Sequence, residues 1–319
     1  MKRILIIGGS GFIGKHLVPM LQDDYRLFIL HRGSQALPSN FNIEEEIIAE
    51  RGELHHHREK LSRLNPEIVI DLIPYFAQDA WDVVQTFSGM AQKVIALSSA
   101  DVYQAYAIFK DQMDEVQDGP LPESSQLRHT LFPYREGAQA EDTLLYHYEK
   151  ILVEQIFMNH PELNPTILRL AALYGEGDTQ QKLSPYLRPM LEGAEEILLD
   201  EKKAHWRWTR AYVKDVAHAI QLCQENKKSD QQIFNVGQAK TLSEHELIQT
   251  LARLTGWQGK ARQLPKNALP KAQQQPFNFR QNLIVDSQKI RKLLGYEEMY
   301  SLEESLAQSY ISYKQQIVG

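Results

Sequence analysis

Tyr146 and Lys150 stand four residues apart in a stretch with helical spacing. Four residues turn a helix by about 400°, so the two side chains would share a face, one turn apart. Tyr148 would lie about 200° round from Tyr146, on the other side. The spacing therefore pairs Tyr146, and not Tyr148, with Lys150. A tyrosine ordinarily titrates near pH ~10, and a nearby ammonium lowers that value by favouring the phenolate. The pair could serve as a proton shuttle, although an ordinary exposed helix face carries the same spacing. Ser98 and Ser99 end the apolar run Lys93–Leu97. A hydroxyl there could hold a substrate oxygen while Tyr146 moves the proton, or could cap the strand end.

Near the start, Arg3–Ile7 runs into Gly8, Gly11 and Gly14. A short β-branched run without alternation reads as a central parallel strand. The first glycine lets the chain turn off that strand. The second lets backbone approach a pyrophosphate, and the third lets the following helix pack closely on the sheet. The helix N-terminus offers N–H groups and partial positive charge to a phosphate. In the order strand, glycines, helix, this predicts a dinucleotide cradle, with Phe12 and Ile13 of the same turn included in it.

These residues need a sheet edge to converge on. Strands are predicted over 26–30, 46–50, 68–72, 93–97 and 166–170, with helices over 12–22, 78–87 and 142–159 between them. Pro19 should loosen the first helix. The segment 104–141 shows no sustained period, and a loop that long is usually functional or disordered. Strand–helix alternation up to residue 170 implies an α/β fold, a doubly wound parallel sheet (Rossmann) with the cofactor at its carboxyl edge. Residues 1–170 then form the dinucleotide-binding domain. Residues 171–319 form mainly a smaller mixed C-terminal substrate lobe, some of whose segments return to the first domain. In that lobe short strands near 196–199 and 233–236 mix with helices near 184–191, 214–224 and 243–255. A polar linker covers 258–282. Asp286 caps a helix ended by Gly295, and a last helix spans about 302–313.

The 319 residues are 43% hydrophobic and 24% charged, with a net charge of −6. An acidic chain speaks against broad nucleic-acid binding. The single cysteine, Cys223, excludes an intramolecular disulfide and fits a reducing compartment. No signal peptide and no membrane-length apolar run is visible, so a cytoplasmic location is expected. The adjacent His55, His56 and His57 cannot all face one ion. They read as a solvated helix start, and no metal site is expected.

The pieces GGSGFIG (Gly8–Gly14), SSADVY (Ser98–Tyr103), YHYEK (Tyr146–Lys150), LRLAALYG (Leu168–Gly175) and IFNVG (Ile233–Gly237) occur in that order. Together they resemble the extended short-chain dehydrogenase/reductase family, also called the NAD-dependent epimerase/dehydratase family. The resemblance implies NAD(P) in the first lobe and, in many members, a nucleotide-sugar in the second. It implies hydride transfer at a carbinol or carbonyl carbon, with Tyr146 as acid/base, Lys150 as its partner and ribose anchor, and Ser99 as the substrate-orienting hydroxyl. By the same resemblance Leu72 and Ile73 lie along the cofactor and Glu50 near the adenine. Homodimers through the helices over 78–87 and 142–159 are also implied.

Two stretches depart from the pattern. Members that prefer NAD end the second strand with an acid that grips the ribose hydroxyls. Here His31–Arg32–Gly33–Ser34 stands instead. Arg32 and Ser34 could bind a 2′-phosphate, which favours NADP, with NAD as the alternative. His205–Arg210 replaces the usual substrate segment, and packing is expected of it slightly before ligand contact. SSADVY and HRG also resemble a branch with chloroplast RNA-binding members. A catalytically silent NADP-binding regulator or RNA-binding protein is therefore the alternative to an enzyme.

Overall fold

In the computed structural model, residues 1–110, 113, 115–139 and 143–318 are described. The first half contains β1 (Arg3–Ile7), α1 (Gly14–Leu21), β2 (Arg26–His31), β3 (Glu45–Ile48), α2 (Arg58–Leu64), β4 (Ile68–Asp71), α3 (Ala77–Phe87), β5 (Lys93–Ser99) and α4 (Gln104–Lys110). Then come α5 (Thr143–His147), α6 (Lys150–Met158), β6 (Thr166–Leu170), β7 (Ala172–Tyr174), α7 (Ser184–Leu191), β8 (Glu196–Asp200) and α8 (Glu201–His205). The remainder holds β9 (Arg210–Tyr212), α9 (Val213–Gln224), β10 (Gln232–Val236), α10 (Glu244–Thr255), β11 (Lys260–Leu264), α11 (Gln288–Leu294) and α12 (Leu302–Val318).

Among the described residues the central sheet has seven strands in the order β10-β6-β5-β4-β1-β2-β3, each pair parallel. The chain leaves β1 first in one direction, to β2 and β3, and later in the other, to β4, β5, β6 and β10. The reversal beside β1 creates the crevice in which such sheets bind ligands. The strands are apolar on both faces because helices cover both. Ile4 and Ile6 pack with Leu17 and Val18 of α1 and Val216 and Ile220 of α9. Leu5 and Ile7 pack with Ala80, Val83 and Phe87 of α3 and Val153 of α6. Burying each such side chain is worth about 1.5–3 kcal/mol. A third apolar cluster, with Tyr174, Tyr186, Leu187, Leu247 and Leu306, forms the core of the C-terminal part.

Three expectations need correction. The helix expected over 142–159 is two helices, α5 and α6, with Tyr148 and Glu149 outside both; its expected first residue, Asp142, lies outside the described residues. The polar linker over 258–282 contains β11, which pairs in parallel with β8. Lys260 and Arg262 of β11 both reach Glu196 at the start of β8, at 3.2 and 3.4 Å. Asp286 is not the cap residue of α11, which follows Ser287, although its carboxylate accepts from the Gln288 N–H at 2.8 Å. Part of the segment 104–141 is α4; residues 111, 112, 114, 140 and 141 lie outside the described residues.

Candidate active site

At the carboxyl end of β1 the chain turns through Gly8, whose φ is +84°. A Cβ on Gly8 would stand 3.0 Å from Ile73 Cγ2, and one on Gly11 would stand 3.2 Å from the Gly8 oxygen. At Gly14 it would stand 2.1 Å from the Gly9 oxygen, an impossible distance. Glycine is therefore required where α1 presses on the turn. In the first turn of α1 the Lys15 and His16 N–H groups donate to the Gly11 and Ile13 carbonyls, both at 3.0 Å, which fixes the turn beside Phe12 and Ile13. A cradle that no side chain can enter fits a pyrophosphate, so the residues present suit a dinucleotide. Ile73 covers Gly8, and Leu72 is buried below it.

One rim of the crevice is the turn after β2. His31 is buried, and its Nε2 meets Glu46 Oε1 at 2.7 Å. Its Nδ1 accepts from the Gly33 N–H at 3.3 Å, so Nε2 carries the proton. Gly33, at φ +77°, packs on Ile48. The imidazole thus fixes the turn from which Arg32 projects. Arg32 is exposed and donates from Nε to Ser34 Oγ at 3.2 Å. Lys15 Nζ reaches Gln35 nearby at 3.1 Å. Glu50 is exposed, whereas its neighbour Arg51 turns inward. Arg51 donates to Asp71 Oδ2 at 2.6 Å and to the Asp79 carbonyl at 2.7 Å. Asp79 in turn accepts from the N–H groups of Tyr75 and Phe76 and caps α3.

The reacting edge lies at the ends of β4 and β5. Of the two serines, Ser98 is committed to the core: its hydroxyl donates to Glu154 Oε1 at 2.5 Å. Glu154 is clamped by Arg169, whose Nη1 reaches the Tyr103 hydroxyl. Ser99 faces the site and accepts from the Asp101 N–H at 3.2 Å. Lys150 is buried at the start of α6. Its ammonium donates to the carbonyls of Pro74 (2.7 Å) and Leu97 (3.0 Å). It lies 4.8 Å from the Tyr75 ring centre and 5.7 Å from that of Tyr148. Burial lowers the ammonium to about 8, against the pull of Asp71 and Asp101.

Tyr146 is not on one face with Lys150. Helix α5 ends before Lys150, and Tyr146 is 41% exposed, with its ring under Arg135 (4.7 Å). The tyrosine beside Lys150 is Tyr148, its ring centre 5.7 Å from the ammonium and 5.2 Å from the Tyr134 ring, where Ser99 and Asp101 act on its hydroxyl. Burial first, then the Asp101 charge, pushes Tyr148 well above the usual tyrosine range. Asp101 is itself buried, which raises its carboxyl. Its Oδ2 accepts from the Tyr134 hydroxyl at 2.8 Å, while Oδ1 has no hydrogen-bond partner. The site so formed holds a protonated phenol, a serine hydroxyl, a carboxyl and an ammonium beside the glycine turn. Tyr134 and Asp101 were not singled out from sequence, and Tyr148 was set aside because an unbroken helix would turn it away from Lys150. Asp101 carried a signal in its position two residues past Ser99.

The segment His205–Arg210 is largely packing, as expected. Trp206 is buried and donates to the Gln281 carbonyl at 2.7 Å, stacked on Phe109 at 4.7 Å. Arg210 pairs with Glu244 at 2.5 Å. Trp208 is half-buried and donates to the Tyr106 hydroxyl at 3.2 Å.

Comparison with known proteins fits this arrangement. UDP-glucuronic acid decarboxylase 5 of Arabidopsis thaliana is 24% identical over 324 aligned positions, covering 95% of this chain and 87% of that protein. The UDP-glucose 4-epimerase of Thermotoga maritima, solved with UDP-glucose, superposes with a TM-score of 0.73 at 20% identity and covers 99% of both chains. The dTDP-glucose 4,6-dehydratase of Bacillus anthracis, solved with NAD, gives 0.73 at 14% identity, covering 99% of this chain and 97% of its own. The model of the NAD dependent epimerase/dehydratase family matches residues 4–237, and the chain belongs to that family.

Proposed function

We propose that the chain is an NADP-dependent enzyme acting on a nucleotide-sugar, by redox chemistry at a carbinol or carbonyl carbon. The observation that carries this reading is that Lys150, bonded to the Leu97 carbonyl of β5 and the Pro74 carbonyl after β4, and Ser99 at the end of β5 share one edge of the sheet. When bound, the nicotinamide supplies the hydride donor and acceptor. Gly8, Gly11, Phe12, Ile13 and Gly14 would hold the pyrophosphate. Leu72 and Ile73 would line the nicotinamide side, and Glu50 the adenine rim. An ammonium has three donors, and the Pro74 and Leu97 carbonyls use two. The third is available to a ribose hydroxyl. Ser99 would hold the substrate oxygen. Names of relatives that handle UDP- and dTDP-sugars support the substrate class.

The choice of NADP rests on Arg32 and Ser34 at the β2 turn, where the His31 ring fixes the backbone and an arginine stands in place of the acid with which NAD-preferring members end the second strand. Calorimetric titration of both cofactors tests it. NADP should bind more tightly, and Arg32→Ala should remove most of that preference, a charge-assisted contact being worth about 1.5–3 kcal/mol. Equal affinities, or an unchanged preference in Arg32→Ala, would remove the NADP reading. Turnover is then sought with UDP-glucuronate, UDP-glucose and dTDP-glucose by nicotinamide absorbance and product analysis. Tight NADP binding with no turnover on any of them would favour the silent regulator instead.

A further inference from the structure

Two groups of contacts interrupt the helix that would have carried Tyr146 over Lys150. In a continuous helix the Glu149 N–H would donate to the Leu145 carbonyl and the Lys150 N–H to that of Tyr146. Instead Glu149 is extended, at φ −158° and ψ 98°, and its N–H donates to the Tyr75 carbonyl at 3.0 Å. The Tyr146 carbonyl accepts from Arg135 Nε at 3.1 Å. The Glu149 carboxylate is fully buried and has several donors. Arg128 grips it through both terminal nitrogens, at 2.8 and 3.2 Å. The N–H of Phe132 reaches it at 2.5 Å, and that of Ile151 at 2.8 Å, which caps α6. A buried ion pair with its remaining lone pairs satisfied resists rearrangement, because freeing either partner leaves a charge stranded. The clamp therefore holds the break open, and the break turns Tyr148 inward to Ser99 and leaves Tyr146 outside.

We propose that Tyr148, at the end of α5 where the Arg128–Glu149 clamp breaks the helix, is the residue that exchanges a proton with the substrate oxygen at Ser99. The proposal rests on the enzyme reading above and changes which side chain performs its proton step. In the reducing direction the phenolic O–H of Tyr148 breaks and an O–H forms on the substrate oxygen. The electron pair of the broken bond stays on the phenolate, which Lys150 stabilises, and the hydride to carbon is the share of the reduced nicotinamide. In the oxidising direction the same bonds form and break in reverse. Arg128 and Glu149 touch no substrate and act as positioning residues.

Two measurements decide it. Tyr148→Phe and Tyr146→Phe each delete one oxygen and keep the ring, so both should fold. With a UDP-sugar that the parent turns over, Tyr148→Phe should lower kcat by about 10²–10⁴-fold, leaving NADP affinity near that of the parent. Tyr146→Phe should cost less than about tenfold on the same scale; the reverse ranking would overturn the proposal. The second measurement needs no substrate. In amide hydrogen exchange of the parent, the Lys150 N–H should exchange like an unbonded first-turn amide. In Arg128→Met/Glu149→Ala, where no charge is stranded, α5 and α6 should join and that amide should slow by at least about tenfold. A Lys150 amide already protected in the parent, or equally fast in both, would overturn the clamp. If no UDP-sugar is turned over while the amide behaves as expected, the functional reading fails and the clamp stands.

Discussion

Lys150 is the residue on which the site's electrostatics turn. Its ammonium lies under two tyrosine rings and against two carbonyls, and burial lowers it from 10.5 to about 8. The folded chain thus favours the neutral amine more than the unfolded chain does. Between pH 8 and 10.5 the unfolded chain binds more protons, so this group's contribution to stability rises with pH across that window. The gain is at most of order 3 kcal/mol. Activity should move the other way, because a phenolate on the neighbouring tyrosine loses its counter-charge above about pH 8. Melting curves of the parent should therefore gain on those of Lys150→Met as the pH is raised from 8 toward 10, while kcat of the parent falls. Parallel pH–stability curves for the two proteins would show that the ammonium is not held as described. That Ser99 and Lys150 would lie at the sheet edge was legible, because each sits at a position that the strand pattern or the motif marks. Which tyrosine lies beside them was not legible, because that depends on partners remote in sequence, such as Arg128 and Tyr75.

At the level of elements, the β1–turn–α1 unit is set by a steric condition that a single methyl group tests. A Cβ on Gly14 would lie 2.1 Å from the Gly9 oxygen, a backbone atom that cannot swing aside, whereas one on Gly52 would meet nothing within 4 Å. Gly14→Ala should destabilise the chain by about 1–3 kcal/mol or more and abolish dinucleotide binding, with Gly52→Ala close to neutral in both thermal melting and cofactor titration. A Gly14→Ala protein that binds NADP normally would contradict the cradle. The strands β1, β2, β4, β5 and β6 could be read from sequence because a buried parallel strand must be apolar on both faces. β11 could not, since Lys260, Arg262 and Gln263 carry no such pattern and its pairing depends on Glu196 of a remote strand. The break between α5 and α6 was hidden for a related reason. Leu144, Leu145, Ile151 and Leu152 keep helical spacing straight through it, and a buried glutamate that caps a new helix looks in sequence like any surface glutamate.

Assembly is a property of the whole molecule, and a dimer through the α3 and α5 face would touch the site. Helices α3 and α6 pack side by side on one face of the sheet, and the end of α5 meets the start of α3 where the His147 and Phe76 rings lie 6.0 Å apart. Trp81 of α3 is 41% exposed and Leu144 of α5 is 43% exposed. Trp81 meets only the edge of His160, at 5.3 Å, among the ring contacts described. Large apolar side chains exposed on adjoining helices suit a self-complementary twofold contact, in which the same patch serves both copies. A homodimer through this face is the expected assembly. Light scattering at tens of micromolar should give twice the chain mass, and Trp81→Glu should halve it with the circular dichroism unchanged. The partner would also cover α5, whose end carries the break that orients Tyr148. Monomeric Trp81→Glu protein should then show faster amide exchange from Leu144 to Lys150 than the parent, as well as a lower mass. A parent that is strictly monomeric at these concentrations would sink the dimer, and with it any role for a second copy in holding α5 in place.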